Sequence, residues 1–303
     1  MARSYRYLHY DVFTDHLFGG NQLAVFLDGR GLPAGTLQAI AKEMNFSETT
    51  FLLPPETPGT DVRMRIFTPA EELPTAGHPT IGTTFALARA GVIERGRKNF
   101  VFGCGIGPVP VALTWKGDDL GFAWMTQSLP TFGEVMPDTA RAAAALSLDS
   151  AALAAHPVQV VSCGVPFLFV PLTTRSAVDG VTVNNTGLDA LLKATKPAAH
   201  GVFVFSTEPG DAPATVYSRM FAPELGVVED PATGIASGPL GCYLVRHRLV
   251  AAEKADAMIS LQGAKMGRPS HVHISIGVED GEITSVRVGG EAVLAGEGSL
   301  YVT

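Results

Sequence analysis

The sequence predicts an α+β protein built from two related, β-rich lobes, and three observations carry that expectation. The chain has 303 residues, more than one domain usually holds at ~100–200 residues each. Hydrophobic residues make up 46% and charged residues 17%, enough for a sizeable core and incompatible with global disorder. Finally, RIFTP at 65–69 returns as RMFAP at 219–223, an offset of 154 residues, about half the chain.

The elements around the two copies echo each other in order. GNQLAVFL at 20–27 and GVPFLFV at 164–170 each read as a glycine leading into a buried strand. Residues 34–45 form an amphipathic helix with Leu37, Ile40, Ala41 and Met44 on one face, and 188–194 is its shorter counterpart. FLLPP at 51–55 then corresponds to GVFVF at 201–205. After each arginine-led strand comes a loop and a helix, the first expected over 79–90 with Pro79 in the first position and Gly91 as its stop. The second helix is expected to begin at Pro231 with Asp230 as its N-cap. The boundary between lobes falls near 127–137. One lobe spans 1–128 and carries Glu48 and His78; the other spans 129–303 and carries Asp230, its last strand free to cross back.

Charge and cysteine content exclude several functions. With 22 basic and 29 acidic residues the net charge is −7, which argues against nucleic-acid binding and against a polybasic membrane surface. Cys104, Cys163 and Cys242 are widely spaced and form no C-x-x-C pair, so neither a disulfide framework nor a zinc ribbon is expected. The N-terminus carries no apolar signal core, and no run of ~18 apolar residues occurs. A cytoplasmic protein acting on a small molecule is the expectation. HVH at 271–273 lacks a third ligand, so no metal site is assigned.

Three residues then stand out. His78 sits at the mouth of the first Pro-led helix, beside unpaired backbone N–H groups. Asp230 holds the equivalent place in the second copy, and two such mouths on a shared cleft would suit a carboxylate. Glu48 lies at a helix-to-strand junction, where alternation groups it with Phe46, Thr50 and Leu52. An acid on an apolar face should have a raised pKa unless paired, which suits general acid–base work. Gly234, Gly238, Pro239 and Gly241 should weaken or kink the second helix unless close packing requires them.

DVFTDHLFGGNQLAVFLD, NFSETTFLLPP, RIFTPAEELPTAGHPTIGT, EDPATGIASGPLGCYLVRH and QGAKMGRPSHVHI, in this order, resemble the PhzF family of phenazine-biosynthesis-like isomerases over about residues 8–275. The resemblance implies a diaminopimelate epimerase-like fold, two pseudo-symmetric lobes in which a β-barrel wraps a central helix. It implies a cofactor-independent isomerase, with no metal, a small carboxylate substrate and a homodimer. By the same resemblance Glu48 is the proton shuttle, and His78, Asp230, Gly77, Gly234, Asn21 and Ile235 line the substrate. In thiol-dependent relatives the helix mouths carry paired cysteines; here they hold Gly77-His78 and Asp230-Pro231, which disfavours a two-thiol racemase. Gln22, Thr75 and Ile235 depart from the usual proline, larger aromatic and serine, so the substrate need not be trans-2,3-dihydro-3-hydroxyanthranilate itself. The alternatives are a non-catalytic carboxylate-binding or interaction protein and an epimerase or racemase of an amino acid derivative. Wash-in of solvent deuterium separates enzyme from binder.

Overall fold

Short runs of β-branched and aromatic residues bracketed by glycine and proline become strands throughout this chain. The structure is a computed structural model describing residues 3–210 and 213–302. It divides into two units, residues 1–126 with 289–303, and residues 127–288.

The first run of elements is β1 (Arg3–Val12), β2 (Asn21–Phe26), α1 (Ala34–Met44), β3 (Glu48–Leu53), β4 (Val62–Phe67), β5 (Glu72–Leu73), α2 (Gly77–Arg89), β6 (Asn99–Cys104), β7 (Gly107–Lys116) and β8 (Asp119–Gln127). The second run is β9 (Thr131–Val135), α3 (Thr139–Ala145), β10 (Gln159–Ser162), β11 (Pro166–Pro171), α4 (Arg175–Gly180), α5 (Asn185–Ala194), β12 (Val202–Ser206), β13 (Val216–Ala222), β14 (Val227–Asp230), α6 (Gly234–Arg246), β15 (Met258–Gln262), β16 (Ser270–Glu279) and β17 (Glu282–Gly290). The closing strand is β18 (Ala292–Val302).

The pairings repeat as the elements do. In the first unit β1–β2 is antiparallel, β2–β3 parallel, β3–β4 and β4–β5 antiparallel, β4–β6 parallel and β6–β7 antiparallel. In the second, β10–β11 is antiparallel, β11–β12 parallel, β12–β13 and β13–β14 antiparallel, β13–β15 parallel and β15–β16 antiparallel. Even the outer partner corresponds: β18 runs antiparallel along β1, as β9 does along β10.

Each unit keeps one helix inside. Every residue of α2 from Gly77 to Leu87 is buried, the mark of a helix enclosed on all sides. Its threonines are satisfied within that enclosure: Thr80 and Thr84 donate to the carbonyls four residues back, both at 2.7 Å. Thr83 meets Thr50 of β3 at 2.9 Å. Gly82 lets α2 approach its strands, because a Cβ there would lie 2.6 Å from both Leu23 and Val12. In the second unit α6 runs through Pro239 as one helix of 13 residues. Its glycines serve packing: a Cβ on Gly241 would lie 2.4 Å from Ile274.

Three expectations need correction. The division falls after residue 126 where 128 was expected, while the C-terminal segment 289–303 crosses back to the first unit, as was left open for the last strand. The reason is the β1–β18 ladder, which runs from Arg3↔Val302 to Val12↔Ala292. Helix α2 starts at Gly77 rather than Pro79; proline is tolerated in the first turn, whose N–H groups have no helical partner. Helix α6 starts at Gly234 with Thr233 as N-cap, and Asp230 ends strand β14 instead of capping. Among the described residues no helix is long and apolar enough to cross a membrane.

Candidate active site

Strand β3 has two buried faces, which is why alternation alone could not orient Glu48. Phe51 packs toward α1, in a cluster with Leu37, Ile40 and Ala41. Thr50 turns to α2, where its hydroxyl meets Thr83. Glu48 shares the Thr50 side of the strand and so is carried toward the start of α2, while Phe46 lies outside the strand.

His78 waits there as the second residue of α2. Its Nε2 lies 3.3 Å from Glu48 Oε2, with side chains only 3% and 13% exposed. The contact is within ion-pair range but off the line of a good hydrogen bond. On the other side of the ring, Asn21 of β2 places Nδ2 3.1 Å from His78 Nδ1. The Ser47 hydroxyl in turn donates to Asn21 Oδ1 at 2.7 Å. Ser47, Glu48, Asn21 and His78 thus form one contiguous polar chain inside the first unit. Asn21 and Glu48 are juxtaposed by the parallel β2–β3 pairing, which sets Leu23 opposite Glu48.

Burial holds the His78 imidazolium pKa down to about 3, against a weaker opposing pull from the Gln22 backbone. The positive end of α2 disfavours a second positive charge in the same direction. His78 is therefore a neutral imidazole at physiological pH: it can donate or accept a hydrogen bond but holds no charge. Gly77 opens the helix just before it, and the buried Thr75 hydroxyl two residues earlier has no hydrogen-bond partner among the described residues.

The second unit surrounds Asp230 differently. Thr233 Oγ1 donates to Asp230 Oδ2 at 2.5 Å. Gln262, fully buried at the end of β15, fastens the turn: its Nε2 donates to the Asp230 carbonyl at 2.7 Å and to Thr233 Oγ1 at 2.9 Å. Its Oε1 accepts the Thr233 N–H at 3.0 Å. Gly234 begins α6, and its carbonyl accepts from Gln127 Nε2 at 3.0 Å. Ile235 is half-buried against the apolar cluster around α6. Local sequence pattern does not mark Ser47 or Gln262, although they lie in the NFSETTF and QGAKMG motifs. Their importance comes from long-range contacts that no local pattern reports.

The two arginines of the repeat have a structural role. Arg65 forms a two-pronged pair with Glu72 at 2.7 and 2.5 Å, and Arg219 does the same with Glu229 at 2.8 and 2.9 Å. Each also lies over the phenylalanine two residues on, Phe67 and Phe221. Both pin a strand to its return strand ahead of the central helix. Arg219 further donates to the carbonyls of Val178, Asp179 and Val181.

Comparison with known proteins agrees with this architecture. Residues 10–298 match the PhzC-PhzF family, described as phenazine biosynthesis-like protein. An uncharacterised isomerase of Mesorhizobium japonicum is 36% identical over 301 residues, covering 98% of both chains. A trans-2,3-dihydro-3-hydroxyanthranilate isomerase of Pseudomonas aeruginosa is 34% identical, over 98% of this chain and all of that one. Among solved structures, a phenazine biosynthesis protein of the PhzF family from Bacillus anthracis superposes with a TM-score of 0.86 at 27% identity, covering 99% of this chain and 100% of that one. The repeated fold and these full-length matches lead to one conclusion: the chain belongs to the PhzC-PhzF family of phenazine biosynthesis-like proteins and is an isomerase.

Proposed function

We propose that this isomerase moves a proton between two carbons of a small, cyclic carboxylate related to trans-2,3-dihydro-3-hydroxyanthranilate, with Glu48 as the acid–base group. The observation that carries the reading is a Glu48 side chain only 13% exposed, 3.3 Å from a neutral His78. A neutral imidazole at that distance, unlike an imidazolium, does not lower the basicity of the carboxylate as a cation would. In the proposed step Glu48 takes a proton from carbon, and the C–H electron pair moves into the ring π system. The protonated Glu48 then returns the proton to a different carbon, leaving net composition unchanged. The activity named for the Pseudomonas aeruginosa relative supports this reaction class.

The test is incubation with trans-2,3-dihydro-3-hydroxyanthranilate and other cyclic carboxylates in deuterated water, followed by mass spectrometry and NMR. Wild type should isomerise one of them. Glu48→Gln keeps shape and hydrogen bonding but cannot carry a proton, so turnover should fall at least ~100-fold while calorimetry finds affinity largely kept. Turnover near the wild-type rate in Glu48→Gln would remove Glu48 from the mechanism.

A further inference from the structure

Which nitrogen of His78 carries the ring proton decides what Glu48 faces, and this question rests on the acid–base reading of Glu48 given above. Ser47 donates to Asn21 Oδ1, which leaves Asn21 Nδ2 directed at His78 Nδ1. An amide nitrogen only donates, so Nδ1 must be the acceptor. A neutral imidazole has one N–H, and it then belongs to Nε2, the atom nearest Glu48. We propose that Asn21, oriented by Ser47, is a positioning residue that fixes His78 as the Nε2–H tautomer, so that the ring N–H and not a lone pair lies nearest the Glu48 carboxylate.

The chain could be closed in reverse, with the Asn21 amide turned over and Ser47 accepting. That arrangement protonates Nδ1 and sets the Nε2 lone pair against Glu48 Oε2 at 3.3 Å. Two acceptors repel there unless Glu48 itself carries the proton. The forward direction therefore matches an ionised Glu48, the form that can accept a proton from carbon. It also removes His78 as a rival base, since Nε2 has no lone pair to offer. Burial keeps the ring neutral even though the Gln22 backbone favours protonation, so no second ring proton blurs the assignment. Asn21 is 1% exposed and its amide is engaged by both neighbours, which fits an orienting role.

Long-range proton–nitrogen correlation on the ¹⁵N-labelled full chain reads the tautomer directly. Wild type near pH 7 should show His78 with Nδ1 bare and Nε2 protonated. Asn21→Asp replaces the donor by a carboxylate and should convert the ring to the Nδ1–H form or to imidazolium. Proton exchange into a confirmed substrate should fall ~100-fold or more with it, on the scale of other wrong-tautomer variants. Ser47→Ala should shift the ring populations, and Ser47→Thr, which keeps the hydroxyl, should restore them. A protonated Nδ1 in wild type, or an unchanged ring spectrum in Asn21→Asp, would overturn the proposal. The wild-type spectrum needs neither a variant nor a substrate. Nε2–H in a protein whose Glu48→Gln form still turns over would sink the shuttle alone, while Nδ1–H with an inactive Glu48→Gln would sink the tautomer alone.

Discussion

His78 connects burial to acid sensitivity. Its pKa is held down to about 3 in the folded chain, whereas an unfolded histidine titrates near ~6.5. Below the unfolded value, the unfolded chain gains a proton that the folded chain refuses. Stability from this site is therefore full above about pH 6.5 and is lost as pH falls toward 3. His247 and His273 are lowered in the same direction, chiefly by burial, and add to the trend. His78→Gln should remove one share of it. Denaturant melts at pH 7.5 and 4.5 should show a smaller acid-induced loss in the variant than in wild type. An equal loss in both proteins would mean that His78 is protonated in the folded state.

At the level of elements, close approach overrides local propensity. Gly82→Ala improves intrinsic helix propensity by ~1 kcal/mol. Yet the new methyl would sit 2.6 Å from Leu23 and Val12, both fully buried and without room to retreat. Overpacking of this kind costs ~1–3 kcal/mol, so thermal melting followed by circular dichroism should show net destabilisation. A higher melting temperature would show that the strands yield. The repeated arginines offer a second comparison. Arg219→Met strands Glu229 and three carbonyls in an environment where both partners are largely buried, with a loss on the scale of ~3–5 kcal/mol. Arg65→Met breaks a pair whose glutamate is 41% exposed and should cost nearer ~1 kcal/mol. Urea melts of the two variants should differ accordingly, and equal losses would count against burial as the cause.

On the scale of the molecule, the first unit is completed by the last segment of the chain. β18 covers one side of β1 along its whole length, and β2 covers the other side of its C-terminal half. Deleting 292–303 would leave β1 as an open, ten-residue edge with unpaired backbone groups. The truncated chain should lose cooperative melting and aggregate, as measured by circular dichroism and light scattering. A cooperative transition close to that of the full chain would show that β1 holds its place without β18. In the second unit β9 covers β10 in the corresponding way, so the repeat extends to how each unit protects its first strand.

The sequence by itself determined the repeat and most of its elements, because these follow from local periodicity and turn residues. The 154-residue echo matches strands β4 and β13, α1 spans Ala34–Met44 with Leu37, Ile40 and Ala41 buried, and Asn45 ends it in the left-handed conformation. Glu48 and His78 could be singled out as residue types, but the 3.3 Å between them could not, since they are thirty positions apart and meet only through strand-to-helix packing. The start of α6 was misplaced for a related reason: Asp230 has the composition of a cap, while Gln262 from a distant strand fastens the turn and leaves Thr233 as the first half-helical residue. The membership of β18 was likewise settled by a ladder between the two ends of the chain. Local pattern records which face a residue prefers; tertiary contact alone decides what meets it there.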